Sequence, residues 1–395
     1  MNTHDKQKKP AVAFDTWALG GFARHHGVAV YARQLLTHFC AMGPECPVEI
    51  RPYVCAGADN DANQFEAAPG FTPQETRLLK HSRSWRWGGA NLLAAMGSAD
   101  LVFSPTCATL VGGLSVHSVV TIHDLIPVIM PWGSRRITQA LKFCLWWSAK
   151  FSQEIITVSH HSKADMVKMY GVPESKITVI YNGYDKALFN TGAPDPDFTA
   201  KLLARFGIDR PYIVHHGVIK PNKNLQRLIQ AYRLALERNR NLDVDLVLAG
   251  PLGWEYKDVL EEASKVPGGR GRVIFTHALS PADLALLVKG ASLAVAPSLY
   301  EGFCLPMIES MACGVPTIAA NSSCLPEISG GVLKYFDPCS VDEMAVCIND
   351  ALEDKSLRNE LVKKGLVRAN DFDWDRCARE TAAVLARVAG EGKRR

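Results

Sequence analysis

Short apolar runs alternate with amphipathic stretches along almost the whole chain. In the first half the apolar runs are AVAFDTW, VEIRPYVCA, DLVFSP, SVVTIHD, EIITVS and ITVIYNG. In the second half they are PYIVHHG, VDLVLAG, RVIFTH, SLAVAPS and VPTIAA. Runs this apolar, bounded by Gly, Pro and Asp, read as strands buried on both faces of a parallel sheet. Between them, patterns such as GVAVYARQLLTHF and KADMVKMYG carry apolar residues at helical spacing. This alternation predicts α/β architecture with doubly wound sheets. The rhythm breaks at Tyr184–Ala200, YDKALFNTGAPDPDFTA, where Pro, Gly and Asp cluster. The expectation is therefore two Rossmann-like domains facing across a cleft. The first covers residues 1–190 and the second 191–373, with a C-terminal helix over 374–395 packing back toward the first.

Two turns are unusual. In SLYEGFCLPMIESMACGVPTIAANSS (Ser298–Ser323), Glu301 and Glu309 flank a strand-to-helix turn. Pro306 suits a helix start and Gly314 a helix stop. At the carboxyl edge of a parallel sheet such a turn points its amides at a ligand, and the helix end favours an anion. Gly302 permits close backbone approach. Carboxylates cannot hold phosphate, but they accept hydrogen bonds from hydroxyls. The implied ligand is a phosphate flanked by hydroxyl-rich groups; the alternative is an ordinary turn with two surface glutamates. In HHGVIKPNKNLQRLIQAY (His215–Tyr232), Lys223 stands at a helix start. A cation is unfavourable there unless it faces an anion.

Composition narrows the picture. The 395 residues carry a net charge of +4, too little to argue for nucleic acid. Residues 1–190 hold 18 Lys+Arg against 14 Asp+Glu, whereas the remainder balances at 26 and 26. An anionic surface or acceptor would meet that first half. The 11 cysteines contain no C-x-x-C pair, so neither a disulfide framework nor a zinc site is expected. The opening MNTHDKQKKP is polar and no long apolar span occurs; the expectation is cytoplasmic, at the inner face of a membrane.

Further candidates carry two readings each. TIHDLIP places His123 and Asp124 at a strand end, where the imidazole contacts a sugar or phosphate, moves a proton, or simply bonds a loop carbonyl. Gly27 opens the first helix as another anion-facing terminus. No G-x-G-x-x-G or P-loop pattern is present. The pairs around Asp195, Asp243, Asp371 and Asp373 look like metal ligands by letter but sit poorly for it, so no metal is expected. LLKHSRSWRWGG (Leu78–Gly89) and WGSRRITQALKFCLWWSAKFSQ (Trp132–Gln153) mix tryptophan with base. They lie on an anionic membrane or pack in the fold; packing is the simpler reading of the second.

TIHDLIP, ITVSHHSKADMVKMYGVPESKITVIYNGYD, PNKN, EGFCLPMIE and MACGVPTIAANSSCLPEISGG occur in this order. Together they resemble the family 4 retaining glycosyltransferases of the GT-B fold, in the branch of lipopolysaccharide and exopolysaccharide mannosyltransferases. The resemblance implies that Glu309 bonds the donor ribose and Glu301 the donor sugar. Lys223, helped by Lys220 and Gly217, and the amides of Phe303, Cys304 and Leu305 would hold the diphosphate. His123, with Gly27 and Asp124, would line the acceptor side. It implies no cofactor and no metal, with GDP-mannose as donor and a glycan or lipid-linked acceptor. A UDP-sugar donor, a non-catalytic nucleotide-sugar-binding partner and a phosphorylase are the alternatives. The family often has Arg at Val218 and Gly at Cys304, and both departures bear on donor affinity.

Overall fold

The computed structural model describes residues 9–19, 27–55, 74–76, 99–113, 116–131 and 135–392. Its contacts divide the chain into two units, Met1–Gly183 with Trp374–Arg395, and Tyr184–Asp373.

The first unit holds seven parallel strands in the order β3-β2-β1-β4-β5-β6-β7. They are β1 Ala11–Asp15, β2 Glu49–Cys55, β3 Gln74–Thr76, β4 Leu101–Ser104, β5 His117–Thr121, β6 Glu154–Thr157 and β7 Ile177–Val179. The central strands β1, β4 and β6 are buried along their length, which is why they read as unbroken apolar runs. The helix Gly27–Met42 follows β1, and Arg135–Phe151 precedes β6. Leu145 and Ala149 of the latter pack with Val120, Ile122 and Ile155 in the core. Ser159 caps the helix His160–Tyr170, and Gly171 ends it at φ 62. The helix Trp374–Gly392 belongs to this unit. Cys377, Ala378, Thr381, Leu385 and Val388 are buried at helical spacing, and Arg387 pairs with Glu154 of β6. The stretch Leu78–Gly89 lies outside the described residues, so its tryptophans and arginines receive no structural account.

The second unit holds six parallel strands in the order β10-β9-β8-β11-β12-β13. They are β8 Tyr212–His216, β9 Asp245–Ala249, β10 Val273–His277, β11 Leu293–Ala296, β12 Thr317–Ala320 and β13 Lys334–Phe336. Strand order reverses between β8 and β11, so the loops leaving their carboxyl ends diverge around one crevice.

Two expectations about the junction need correction. The chain passes between units at Gly183–Tyr184, ahead of the expected 190/191 division. Residues after Gly183 are already engaged in the second unit: Phe189 stacks on His216, and Lys289 Nζ donates to Asn190 Oδ1 at 2.9 Å. The stretch where the rhythm breaks, read as the linker between domains, runs into a helix, Pro196–Arg205. Asp195 accepts from the amides of Asp197 and Phe198, and Pro196 occupies the helix start, so Asp-Pro is a capping signal here.

Candidate active site

The turn after β8 begins at Gly217, whose φ of 127 suits glycine. A Cβ there would sit 3.7 Å from Pro306 Cγ and 3.9 Å from Lys223 Cε, so the backbone lies against both. The chain then makes a 3-10 turn, Pro221–Lys223, and enters the helix Leu225–Arg238 through Asn224 at φ 58. The turn after β11 runs from Pro297 to Cys304 and enters the helix Leu305–Ala312. No side chain caps that helix; Pro306 has no N–H and Met307 N donates to Cys304 O at 3.1 Å, which leaves the Leu305 amide to meet an anion.

Asparagines tie the two turns together. Asn222 accepts at its carbonyl from Leu299 N at 2.8 Å and donates from Nδ2 to Tyr300 O at 3.0 Å. Asn224 Nδ2 donates to Pro297 O at 3.1 Å and Pro338 O at 2.7 Å. This lacing sets Lys223 against Glu301. The ammonium donates to Glu301 Oε1 at 2.6 Å, with both side chains buried. Ser298 Oγ donates to the same oxygen at 2.6 Å, and Glu301 N donates to Ser323 Oγ at 3.0 Å. Burial is the largest single influence and acts against the ammonium, but the charge and hydrogen bond of Glu301, together with Cys304 and Cys324, hold the Lys223 pKa above its ordinary value.

Glu309 sits one turn into the helix, with Oε2 3.5 Å from His216 Nδ1. Burial, reinforced by the Asp185 carboxylate, pushes its pKa up to about 8. Burial and the neighbouring His215 push His216 down to about 3. Both shifts favour neutral forms, so near neutral pH this contact is not an ion pair. His216 Nε2 meets Ser310 Oγ at 3.2 Å, and Phe189 stacks on the ring. Below lies a small cavity lined by His215, Cys304 and Met307, with room for about one water. His215 Nε2 is buried there without a partner.

Cys304 takes φ 68 and ψ 65, the left-handed region. That conformation favours glycine, which accounts for the residue expected at this position. Burial pushes its thiol up to about 12. Val218 replaces the expected arginine and lies beside Gly253, where an added Cβ would come within 2.9 Å of Val218 Cγ1. Lys220 places its ammonium 5.2 Å from the Trp254 ring centre. Phe303 packs edge-on against Phe372.

Glu301, Lys223, Glu309, Gly217, Gly302, Phe303, Cys304 and Leu305 therefore gather in the second unit. Gly27, His123 and Asp124 belong to the first. His123 Nε2 lies 2.9 Å from Pro105 O. A carbonyl only accepts, so Nε2 carries the proton and Nδ1 presents a lone pair. Burial lowers its pKa to about 4, and Tyr31 of the helix opened by Gly27 packs edge-on at 4.7 Å. The loop-carbonyl bond weighed above for this histidine is thus present. Asp124 Oδ1 accepts from Ile126 N at 2.9 Å and so starts a short helix. The other acidic pairs have separate work: Asp195 caps a helix, Asp243 pairs with Arg210, Asp371 with Arg368 and Asp373 with Lys186. Among the described residues no group of three His, Cys, Asp or Glu is arranged to hold a metal.

Comparison with known proteins fits this geometry. Residues 203–368 match the family model described as Glycosyl transferases group 1, and residues 25–188 match Glycosyltransferase Family 4. O-antigen chain mannosyltransferase B of Escherichia coli is 30% identical over 268 residues, 67% of this chain and 69% of that protein. The serotype-specific mannosyltransferase WbdA of Escherichia coli is 28% identical over 65% of this chain, which spans only 32% of that longer protein. Sucrose-phosphate synthase from Thermosynechococcus elongatus has the same fold, with a TM-score of 0.71 at 20% identity, covering 95% of this chain and 98% of that one. The two doubly wound sheets, the crevice around Lys223 and Glu301, and these matches agree that the chain is a glycosyltransferase of family 4 with the GT-B fold.

Proposed function

We propose that the enzyme transfers mannose from GDP-mannose, with retention of anomeric configuration, to a glycan or lipid-linked glycan acceptor in cell-surface polysaccharide synthesis. The observation that carries the reading is the buried Lys223–Glu301 pair at the β8/β11 reversal, beside an uncapped helix start. The ammonium and the Leu305 amide take the diphosphate of the donor. Glu301 holds the donor sugar, and Glu309 accepts from the ribose hydroxyls. His123 offers its Nδ1 lone pair on the acceptor side. Charge on the departing diphosphate is met by Lys223 and the helix end, so the reading calls for neither metal nor cofactor.

The names of two relatives, both mannosyltransferases, favour mannose as the sugar. A cytoplasmic site at the inner membrane face follows if the acceptor is lipid-linked. Among the described residues no helix is long and apolar enough to cross a membrane. The test is donor depletion across GDP- and UDP-sugars, read as slow hydrolysis, followed by NMR of the new linkage. Preferential consumption of GDP-mannose and a retained configuration are expected. Preferential use of a UDP-sugar, or an inverted product, overturns the reading.

A further inference from the structure

The helix Arg135–Phe151 buries Thr138, Cys144, Leu145, Ser148 and Ala149, so its inner side is accounted for by packing. Its other side is not a solvated polar face. Arg135, Gln139, Lys142, Phe143, Trp146 and Lys150 recur at three- to four-residue spacing and fall on one arc of the helix. Phe143 is 41% exposed and Trp146 39%. The rings form a continuous cluster, with centroids 5.9 Å apart for Phe143 and Trp146, 6.2 Å for Trp146 and Phe151, and 4.4 Å for Trp147 and Phe151. Trp147 is anchored by its Nε1 donating to Gly112 O at 3.2 Å. Lys150 lies 5.2 Å from the Trp146 ring centre.

The charge on this helix has one sign. It carries Arg135, Arg136, Lys142 and Lys150 and no acidic residue. None of these four forms an ion pair with a described residue. Packing alone explains neither the outward aromatic cluster nor the one-signed charge of the helix that carries it.

We infer that the outward face of Arg135–Phe151 docks on an anionic lipid bilayer. Tryptophan has an apolar body and a polar edge and settles at the lipid–water boundary. Lysine and arginine lay their stems along apolar material while their charges reach headgroup phosphates. An anionic surface complements all four basic residues at once. The inference deepens the reading of a lipid-linked acceptor and rests on it for the partner's identity, while the surface itself stands apart from the donor site.

The test is sedimentation of the full chain, without donor, on vesicles of phosphatidylglycerol mixed with phosphatidylcholine and on phosphatidylcholine alone. Binding to the anionic vesicles at low salt, lost at high salt, is expected. Lys142→Ala with Lys150→Ala weakens partition about 30-fold, at about tenfold per 1.4 kcal/mol and about 1 kcal/mol per basic residue. Phe143→Ser with Trp146→Ser weakens it at low salt. The thermal midpoint reports folding of each variant, and the lysine variant keeps the test decisive if the aromatic one fails to fold. Three results overturn the proposal: no binding by the unaltered chain, as a soluble protein partner for this face predicts; undiminished binding by both variants; or loss only on Arg83→Ala with Arg86→Ala. Vesicle binding by a chain that consumes no GDP-mannose leaves this surface standing and sinks the donor reading. Turnover without vesicle binding does the reverse.

Discussion

Replacing Lys223 with methionine separates what the buried pair does for folding from what it does for donor. Methionine keeps the length and apolar stem but removes the ammonium that sits 2.6 Å from Glu301 Oε1. Glu301 is then left buried, with Ser298 Oγ as its remaining side-chain donor. Breaking one side of a buried pair costs about 3–5 kcal/mol, because the surviving charge is uncompensated. The Ser298 hydrogen bond offsets about 1 kcal/mol of that. At about 2–4 °C per kcal/mol for a unit of this size, the midpoint falls by about 5–15 °C. Adding Glu301→Gln removes the stranded charge, so the double variant recovers most of the loss. Donor turnover behaves differently. Losing a charged partner of the diphosphate costs about 2–4 kcal/mol, about 30- to 1,000-fold in rate, and the second substitution does not restore it. Thermal unfolding and GDP-mannose consumption, measured on both variants, read the two effects independently. A single variant that melts like the unaltered enzyme, or a double variant less stable than the single, refutes the account of the pair. Near-normal turnover would mean that another group neutralises the diphosphate.

Three further outcomes are expected. Glu309 has a folded pKa raised to about 8 from 4.5, so its stabilising contribution is complete below about 4.5 and is lost as pH rises through 8. Glu309→Gln therefore gains stability over the unaltered enzyme as pH rises from about 5 to about 9, on the order of a few kcal/mol, read as a growing difference in thermal midpoint; a constant difference refutes the shift. Cys304 holds a left-handed backbone at φ 68, which costs a side-chain-bearing residue about 1 kcal/mol. Cys304→Gly should melt at or above the parent and Cys304→Val, branched at Cβ, below it; the opposite order removes the strain argument. If, as proposed, Lys223 and a helix start meet the leaving-group charge, transfer should survive EDTA. Activity abolished by EDTA and restored by Mg²⁺ or Mn²⁺ contradicts that.

The core of each sheet was legible because a parallel strand covered on both faces must be almost wholly apolar, as LAVA in β11 and the LVLA that follows Asp245 in β9 are. One edge strand of each sheet was not. β3 is QET and β13 is KYF, and neither carries the continuous apolar run that marks a buried strand. The helix Pro196–Arg205 was hidden by the letters that start it, since Asp-Pro-Asp reads equally as a loop. At the site, Lys223 stood out because a cation conflicts with a helix start, and Glu301 and Glu309 because they flank a strand-to-helix turn. Ser298, Asn222, Asn224, Ser323, His216 and Asp185 did not. Serine and asparagine are ordinary in turns, and Lys223 meets Glu301 across 78 residues of sequence, a pairing only the sheet order creates. One signal was available: an asparagine before a helix tolerates the left-handed backbone that Asn224 adopts at φ 58.

The charge state of the site bears on how donor enters it. Burial holds His215 near 4, His216 near 3 and Glu309 near 8, so these three favour neutral forms at neutral pH. Lys223 and Glu301 cancel one another. On the proposed function, a diphosphate arriving there must compete with Glu301 for the ammonium, whereas the sugar of an intact donor gives the displaced carboxylate hydroxyls to accept from. Free GDP offers no such replacement. Glu301→Gln removes the competitor, so it should bind GDP about tenfold more tightly, equivalent to about 1.4 kcal/mol. The same variant should consume GDP-mannose about 30-fold more slowly or worse, because the amide holds the sugar less well as charge develops. Titration calorimetry with GDP and a turnover assay on one preparation measure both effects. If Glu301→Gln leaves GDP affinity unchanged or weakens it, Glu301 does not compete for Lys223, and the pair is structural throughout the reaction.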